Sequence, residues 1–343
     1  MELLVVTGYA PSLINFRFDL LKLLTKKNVK ITAISRINKI NNDIKEKLKS
    51  IGIDFRPIYI SHKIKNPILE LFTIICIGIR IIQVKPDVIF VYSPKPTIYT
   101  GIITRLLKKL KIIKTSKVFV LVTGLGYTFS SFENNKFYDL VRIYLAKFAF
   151  KKFDKLIFQN NDDKKYLINK NILNNQSELF RVNGSGVDLN YFSFSPKKEK
   201  KEKVFLMLSR LLIDKGILEY VSAARLIKKK YPNIVFNLAG MPYEGSRAIK
   251  INDIKDWERE KIITYLGSIS DVKQSLINCD FYVLPSFYKE GIPRSLMEAM
   301  AIGLPVICLD WSGMEIITDD KSAIKIPVTS PEQMTEEMAK AIS

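Results

Sequence analysis

The feature that most constrains the fold is an alternation of short apolar runs with stretches of helical periodicity. In the first half of the chain, apolar runs predict buried strands at 3–6, 31–34, 55–60, 88–92, 118–122 and 156–158. Helices are predicted in the intervals, including an amphipathic one at 16–25. Strands that alternate with helices form a parallel sheet covered on both faces, so this half predicts an α/β domain.

The same pattern restarts after residue 203. Strands are predicted at 204–208, 235–239, 262–266, 281–284 and 306–309, with a helix at 215–229. Between the two patterns lies the charge run F-S-P-K-K-E-K-K-E-K, which has no apolar period. We therefore predict a first domain at 1–193, a linker at 194–203 and a second domain at 204–343. Ligand-binding loops at the strand carboxyl ends of two such domains would face each other across a cleft.

The chain is strongly basic, with 54 Lys and Arg against 34 Asp and Glu, a formal net charge of +20. Such an excess favours an acidic partner: nucleic acid, anionic lipid or a phosphorylated substrate. A lysine-rich surface that serves only solubility is the alternative. Composition does not choose among these.

The cysteines and the apolar segments indicate the cellular compartment in which the chain works. The three cysteines, Cys76, Cys279 and Cys308, are far apart and show no zinc-binding spacing, which predicts buried thiols of a reducing compartment. The start M-E-L-L-V-V-T-G predicts a strand and no signal peptide. The apolar stretch 71–79 is bounded by Glu70 and Arg80, and we expect it to be too short to span a bilayer.

The stretch 284–310 carries the strongest chemical signal. It reads as a strand, a polar loop with Glu290 and Gly291, a helix from Pro293 to Gly303, and another strand. Gly291 would let backbone approach a ligand closely, and the first N–H groups of the helix would form an anion site. Two carboxylates, Glu290 and Glu298, beside an anion site suit a ligand with both phosphates and hydroxyls, such as a nucleotide-sugar. The alternative is a surface loop and a helix in which Glu298 is solvated.

The E-x7-E pattern within K-E-G-I-P-R-S-L-M-E-A-M-A-I-G-L-P-V-I resembles the signature of the family-4 retaining glycosyltransferases of the GT-B fold. The resemblance implies two Rossmann-like domains, a UDP-sugar donor site in the second domain and an acceptor site in the first. In T-G-L-G-Y-T-F (123–129), the chain resembles bacterial members that extend undecaprenyl-diphosphate-linked saccharides, including N-acetylgalactosaminyltransferases. Related enzymes usually continue into a last helix that crosses back to the first domain. We expect that helix to be missing after residue 342, which implies a truncated chain or a looser hinge.

The resemblance also implies residue roles at the donor site. Arg210 and Lys215, in S-R-L-L-I-D-K-G, match the pair that holds the donor diphosphate, and two cations there would neutralise charge on a leaving phosphate. Glu290 would orient sugar hydroxyls and Glu298 would hold the ribose. Expected donor contacts also come from residues beside the helix start and at strand ends: Gly291, Ile292, Pro293, Ser295, Leu296, Gly240, Gly267 and Ser268. A glycine at a strand end is, on its own, more often just a turn.

Acceptor contacts are expected from two loops of the first domain. Gly8, Asn15 and Arg17 follow the first strand; helix capping and a solvated Arg17 are the alternative reading. Gly124, Gly126 and Tyr127 lie in the glycine-spaced loop after the strand 118–122. Many family members place a histidine near such a loop, whereas the single histidine of this chain, His62, is expected to be a surface residue.

We expect no metal and no cofactor beyond the UDP-sugar substrate. The sequence contains no Asp-x-Asp, which argues against the magnesium-dependent GT-A type. The resemblance favours front-face attack with the donor phosphate as the base over a glycosidase-like pair of carboxylates.

Two segments of the first domain, 105–114 and 144–153, interleave basic and large apolar residues. They predict peripheral attachment to the anionic inner face of the plasma membrane, where a lipid-linked acceptor would reside. Helices that pack on the sheet with lysines in water are the alternative. Two other functions stay open at this point: a nucleotide-sugar epimerase with a similar architecture, and a non-enzymatic basic protein that binds nucleic acid. No recognised nucleic-acid motif supports the second, so we expect no nucleic-acid partner.

Overall fold

The computed structural model describes residues 1–343 except 38–40, 61–65, 126–135, 152, 174–177, 198–201, 244, 270, 289 and 318–320. The chain divides into two compact units. The first unit comprises Met1–Ser185 and Lys289–Gly291, and the second comprises Gly186–Tyr288 and Ile292–Ser343. The predicted domain limits, 1–193, 194–203 and 204–343, stay predictions.

The first unit contains a seven-stranded parallel sheet. Its strands are β1 (Glu2–Val6), β2 (Lys30–Arg36), β3 (Ile53–Ile58), β4 (Val88–Tyr92), β5 (Lys117–Val122), β6 (Lys155–Phe158) and β7 (Glu178–Arg181), in the order β3-β2-β1-β4-β5-β6-β7. Its helices are α1 (Pro11–Asn15), α2 (Phe18–Lys26), α3 (Asn41–Lys49), α4 (Pro67–Val84), α5 (Pro94–Lys109), α6 (Lys136–Phe150) and α7 (Asn161–Asn169).

Two apolar layers cover this sheet. One face packs against α4, α5, α6 and α7, and the other packs against α1, α2 and α3. The strand interiors are apolar on both sides because both faces are covered; Leu4 and Val5, for example, are both fully buried. Gly101 lets α5 and α6 pack closely, since a Cβ there would lie 2.7 Å from the Cβ of Ala149.

The second unit repeats the architecture with a six-stranded parallel sheet. Its strands are β8 (Val204–Leu208), β9 (Val235–Ala239), β10 (Thr264–Tyr265), β11 (Phe281–Leu284), β12 (Val306–Asp310) and β13 (Ala323–Pro327), in the order β10-β9-β8-β11-β12-β13. Its helices are α8 (Ile217–Lys230), α9 (Ile251–Arg259), α10 (Val272–Asn278), α11 (Arg294–Ile302) and α12 (Pro331–Ile342). Helices α8, α9 and α12 cover one face of the sheet, and α10 and α11 cover the other.

The predicted α/β class, two Rossmann-like domains with parallel sheets, is confirmed. Several details differ from the sequence reading. The edge strands β7 and β13 were not predicted, and the loop predicted after β1 contains the short helix α1. The predicted strand 262–266 is reduced to Thr264–Tyr265. Residues of the predicted linker contact the second unit: Ser195 donates its N–H to Ile302 O at 3.0 Å.

Helix α4 differs most from its sequence reading. Glu70 and Arg80, which bound the apolar stretch 71–79, both lie inside one helix of 18 residues. Among the residues that the structure describes, this helix is long and apolar enough to cross a membrane by length and composition. The apolar stretch 71–79 is thus part of a longer apolar helix, in which Glu70 pairs with Lys95.

The three cysteines are free thiols. Cys279 and Cys308 are buried as predicted, whereas Cys76 is only half-buried, because α4 exposes much of its surface. Burial raises the pKa of the Cys308 thiol to about 12. Cys308 is therefore a core residue and not a nucleophile.

Candidate functional site

The strand order of the second unit places a crevice between two loops. The chain runs outward in opposite directions from the neighbouring strands β8 and β11, which makes their carboxyl ends the switch point of the sheet. The loop 209–216 follows β8 and the loop 285–288 follows β11. Ligands of open α/β sheets bind at such points.

The predicted pair Arg210 and Lys215 lies on the loop after β8, next to Tyr288 on the loop after β11 and Tyr243 on the loop after β9. The Arg210 guanidinium lies 5.5 Å from the ring centre of Tyr243 and 5.8 Å from that of Tyr288. The Lys215 ammonium lies 5.1 Å from the Tyr288 ring centre, and Lys215 is 6% exposed. Both cations therefore lie near the Tyr288 ring, where cation–π contacts stabilise them.

An ion pair fixes the turn that carries Lys215. This turn is a single 3-10 turn, Ile213–Lys215, whose Asp214 is almost fully buried. Both carboxylate oxygens of Asp214 accept hydrogen bonds from the Arg247 guanidinium, with Nε to Oδ2 at 2.7 Å. The carbonyl of Asp214 accepts from the Phe287 N–H at 3.0 Å, which ties this turn to the loop after β11.

The predicted glycines lie at the ends of β9 and β10. The Gly240 N–H donates to Gly267 O at 2.9 Å, and a Cβ at Gly240 would lie 1.5 Å from the Ser209 carbonyl oxygen. Only glycine therefore fits beside the loop that carries Arg210. Gly267 has a φ of +70° with open space around it, and Ser268 is exposed.

The predicted helix start after β11 is observed at α11. Pro293 is the N-cap, and Gly303 ends the helix with a φ of +88°. The first intrahelical hydrogen bond is from the Met297 N–H to Pro293 O, so the amides of Arg294, Ser295 and Leu296 precede it. The Tyr282 hydroxyl, on β11, donates to Ser295 Oγ at 2.7 Å and anchors this end of the helix to the sheet.

Glu298 is not the solvated residue of the alternative reading. It is 8% exposed and accepts a hydrogen bond from Arg294 Nε at 2.7 Å, one turn earlier on α11. Burial raises the pKa of the Glu298 carboxyl, and the charge and hydrogen bond of Arg294 oppose that rise. A buried carboxylate with one paired oxygen can accept a hydroxyl of a ligand. Ile292, just before the helix, is buried.

Glu290 and Gly291 group with the first unit. Within that unit the Gly291 N–H donates to Thr123 O at 2.9 Å, and the Asn160 side-chain amide donates to Glu290 O at 3.3 Å. Gly124 has a φ of +114°, and a Cβ there would lie 2.6 Å from Glu290 Cα. Gly124 therefore packs closely against the backbone of Glu290, and its predicted acceptor contact stays a prediction.

The first unit has its own switch point, between β1 and β4. There the Thr7 hydroxyl lies 3.2 Å from those of Ser12 and Ser93, and Ser12 Oγ lies 3.0 Å from the Tyr92 hydroxyl. Gly8 follows Thr7, and a Cβ on it would lie 3.3 Å from Pro96 Cγ. These hydroxyls bond to one another, and Thr7, Ser12 and Tyr92 are buried, so the network holds β1, α1 and β4 together at this switch point.

The remaining acceptor-side predictions have mixed outcomes. Arg17 is 4% exposed and lies over the Tyr92 ring at 5.1 Å from its centre, so the reading of a solvated Arg17 is wrong. Asn15 ends helix α1 and is exposed. Gly126, Tyr127 and His62 lie outside the described residues.

The sequence reading missed the partners of the two cations. Tyr243, Tyr288, Asp214 and Arg247 were not singled out, although Asp214 and Tyr288 flank predicted site residues in the sequence. Across the part of the chain that the structure describes, no three His, Cys, Asp or Glu side chains are grouped to hold a metal ion. Independence of metal stays a prediction.

Comparison with known proteins agrees with these two units. Residues 190–343 match the family model for glycosyl transferases group 1, and residues 10–160 match the glycosyl transferase 4-like model. The Anabaena protein HepE, solved in complex with UDP, superimposes with a TM-score of 0.71 at 15% identity, covering 100% of this chain and 90% of that one.

Two curated bacterial relatives are similar in sequence. The N,N'-diacetylbacillosaminyl-diphospho-undecaprenol alpha-1,3-N-acetylgalactosaminyltransferase of Campylobacter jejuni is 26% identical over 346 residues, 96% of this chain and 86% of the relative. The UDP-Gal:alpha-D-GlcNAc-diphosphoundecaprenol alpha-1,3-galactosyltransferase of Escherichia coli is 31% identical over 241 residues, 67% of this chain and 59% of the relative.

The fold and the matched families define the chain as a glycosyltransferase with the GT-B fold. It belongs to the group 1 glycosyltransferases, with a family 4-like first domain, as the E-x7-E resemblance predicts. The epimerase reading is not supported, because both family models describe transferases.

Proposed function

We propose that the chain transfers a hexose or N-acetylhexosamine from a UDP-sugar to a polyprenyl-diphosphate-linked saccharide, with retention, in the synthesis of a surface polysaccharide or glycan. The observation that carries the donor half is the pairing of Arg210 and Lys215 on Tyr288 at the switch point of the second unit. The acceptor class is supported by the names of the two curated relatives, whose acceptors are undecaprenol-linked diphosphates.

The donor diphosphate is the ligand that these cations fit. A guanidinium binds two phosphate oxygens in one plane, and an ammonium supplies a compact second charge. The amides of Arg294, Ser295 and Leu296 at the start of α11 add N–H donors within the same unit. Lys215 is nearly buried, so its charge acts with little screening by water.

In the proposed reaction, the bond between the sugar anomeric carbon and the β-phosphate oxygen breaks, and UDP leaves. The acceptor hydroxyl oxygen forms the new bond to that carbon on the same face. Its proton passes to an oxygen of the leaving phosphate. Arg210 and Lys215 stabilise the negative charge that grows on UDP, which is where a preorganised cation contributes most.

The two glutamates have separate proposed roles. Glu298 accepts a hydroxyl of the ribose, which suits its buried carboxylate with Arg294 on one oxygen. Glu290 orients sugar hydroxyls; its backbone is fixed by Asn160 and by the neighbouring Gly291. Gly240, Gly267 and Ser268 contact the nucleotide, and the loop that begins with Gly8 in the first unit contacts the acceptor.

We propose that the enzyme works at the cytoplasmic face of the plasma membrane, attached peripherally to anionic lipid. A lipid-linked acceptor is confined to that surface. The predicted segment 105–114 supports this, because Leu106, Leu110 and Ile112 are exposed among lysines. In 144–153, Tyr144 is 70% exposed.

Transfer of labelled sugar from a panel of UDP-sugars to an undecaprenyl-diphosphate-linked saccharide tests this function. We expect Arg210→Ala to lower kcat/KM about 30-fold or more, equivalent to a loss of about 2 kcal/mol of transition-state stabilisation. Arg225→Ala is the matched control, because Arg225 is an exposed arginine of the same unit paired with Glu260. It should leave transfer unchanged.

Two results would overturn the assignment. Transfer at the wild-type rate in both Arg210→Ala and Glu290→Ala would remove the proposed site. Strong, salt-dependent binding to RNA or DNA without affinity for any UDP-sugar would instead support a basic binding protein.

A further inference from the structure

Helix α4 (Pro67–Val84) is apolar on the side that faces away from its own domain. Its mean hydropathy is 1.9 over 18 residues, yet only 22% of those residues are buried. The exposed side chains Ile68, Leu71, Phe72, Ile75, Ile79 and Ile82 follow helical spacing of three, four and seven residues, and so form one stripe along the helix, here called the outer stripe. Ile68 is 76% exposed and Leu71 is 58% exposed. A helix apolar all round is expected in a core or in lipid. Within the described residues the Phe72 ring lies 5.4 Å from the Tyr59 ring, and the six side chains of the outer stripe are still all exposed.

The opposite side of α4 is fixed to the domain. Thr73, Ile77, Gly78 and Ile81 are buried, and a Cβ on Gly78 would lie 2.7 Å from Ile103 on α5. Near the start of the helix, Lys95 Nζ lies 2.8 Å from a carboxylate oxygen of Glu70, and the Tyr99 hydroxyl also donates to Glu70. Burial raises the pKa of Tyr99 and lowers that of Lys95, which is consistent with an enclosed pair. One side of the helix is therefore packed against α5, so lipid could not surround it.

Basic side chains accompany the outer stripe. Residues 67–117, which the structure describes throughout, contain nine Lys or Arg and two acids, Glu70 and Asp87. Helix α5 packs between α4 and α6, and its carboxyl end carries exposed Leu106 and Leu110 beside Lys108 and Lys109. Lys108 pairs with Asp154 and Lys95 with Glu70, which leaves the segment with a net excess of basic side chains. Apolar side chains within a segment of net positive charge are complementary to an anionic bilayer, whose surface is negative and whose interior is apolar.

We propose that α4 is the membrane-docking element of this enzyme, lying in the interfacial plane of an anionic bilayer with the outer stripe among the acyl chains. The inference rests on the proposed function for its purpose, which is to bring the enzyme to a lipid-linked acceptor. Its evidence, however, is the helix itself. A second copy of the chain is a poorer occupant, because each copy would bring the same excess of lysines to the interface and they would repel.

Vesicle flotation with the full chain tests the proposal. The probes are vesicles of phosphatidylglycerol and phosphatidylcholine in equal parts, and vesicles of phosphatidylcholine alone. We expect the wild type to bind the anionic vesicles, and Ile75→Gln with Ile79→Gln to bind them at least tenfold more weakly. Leu218→Gln with Leu226→Gln is the matched control, because both leucines are exposed on α8 of the second unit. It should bind like the wild type.

Activity separates this proposal from the proposed function. In the stripe variant, transfer to a short-chain, water-soluble acceptor should equal that of the wild type, while transfer to an acceptor in anionic vesicles should fall with vesicle binding. Vesicle binding without transfer to any acceptor would refute the proposed function and leave the docking element standing.

Three observations would overturn the docking proposal. The first is a stripe variant that floats with anionic vesicles as well as the wild type does. The second is a wild type that binds neutral vesicles as tightly as anionic ones. The third is a dimer, seen in sedimentation, that the stripe variant abolishes while vesicle binding persists, which would assign the outer stripe to a second copy of the chain.

Discussion

Glu298 is a buried carboxyl group whose surroundings raise its pKa. It lies one helical turn from Arg294, almost out of water, where a solvated glutamate was the alternative reading. A carboxylate is costly at such a place unless a ligand or a cation uses it. Arg294 supplies part of that compensation, and the ribose of the donor is proposed to supply the rest.

The pH dependence of stability tests this environment. Burial raises the pKa of Glu298 above its ordinary value of 4.5, so the folded chain holds this proton at pH values where the unfolded chain has lost it. The contribution of Glu298 to stability therefore falls as the pH rises above about 4.5. Glu298→Gln removes this titration, so urea unfolding should show the wild type losing stability relative to the variant between pH 4.5 and 7. Parallel curves for the two proteins would contradict the raised pKa.

The sequence was sufficient for some site residues and not for others. Arg210 and Lys215 could be named because their spacing resembles the family pair, and because Arg210 ends a predicted strand and Lys215 begins the next predicted helix. Tyr288 and Tyr243 could not be predicted from the sequence. They lie in loops 33 or more residues from Arg210, and only folding brings these loops to the cations. For Arg17 the sequence left an acceptor contact and a solvated side chain open, and the structure excludes only the second, because the side chain is buried over the Tyr92 ring.

At the scale of elements, the turn Ile213–Lys215 is the part of the site for which the structure shows most clearly what holds it in place. Asp214 is buried, and Arg247, about a third exposed, binds both of its oxygens. Lys215 is the next residue, so the direction of its side chain depends on this pairing. The ion pair is thus a positioning device for a proposed diphosphate ligand.

Removing one partner of the Asp214–Arg247 ion pair should lower the free energy of unfolding more than changing both partners does. We expect Arg247→Ala to lower the free energy of unfolding by about 2 kcal/mol, because it leaves a buried carboxylate unpaired. The double variant Asp214→Asn with Arg247→Ala should recover part of that loss. Urea unfolding measures both, and UDP affinity should fall in Arg247→Ala as Lys215 loses its fixed position. Equal stability of the single and double variants would mean that the pair has no such coupling.

Elements with a clear period were predicted well, and the exceptions have physical reasons. The buried strands β4, β8, β9 and β11 match the predicted ranges because continuous apolar runs mark strands covered on both faces. The edge strand β7 was missed because all four of its residues are exposed, so E-L-F-R carries no core signal. The sequence predicted helix α4. It could not show which side of the helix packs against the core, because the helix is apolar on every side.

At the scale of the whole molecule, the two sheets repeat one strand order. In each, the switch point lies between its first and fourth strands in sequence, β1 and β4 or β8 and β11. The first switch point holds a buried network of hydroxyls with Arg17 over the Tyr92 ring, and the second holds Arg210 and Lys215 near Tyr288. Under the proposed function, the first unit binds the acceptor sugar and the second binds the nucleotide diphosphate.

Hydrogen exchange with and without UDP tests this division. We expect UDP to protect backbone amides in 209–216, 240–243 and 293–298, because a ligand slows local opening of the segments it binds. Peptides covering Thr7 to Ser12 should exchange at unchanged rates. Protection confined to the first unit would place the nucleotide on the wrong crevice and refute the assignment.

The outer stripe of α4 also has a consequence for the protein in solution. Contiguous exposed apolar side chains promote aggregation, and mutual repulsion between molecules of net charge +20 opposes it. Dissolved salt screens that repulsion while leaving the apolar attraction in place. The purified enzyme should therefore become less soluble as sodium chloride is added, and the glutamine variant of the stripe should stay dissolved.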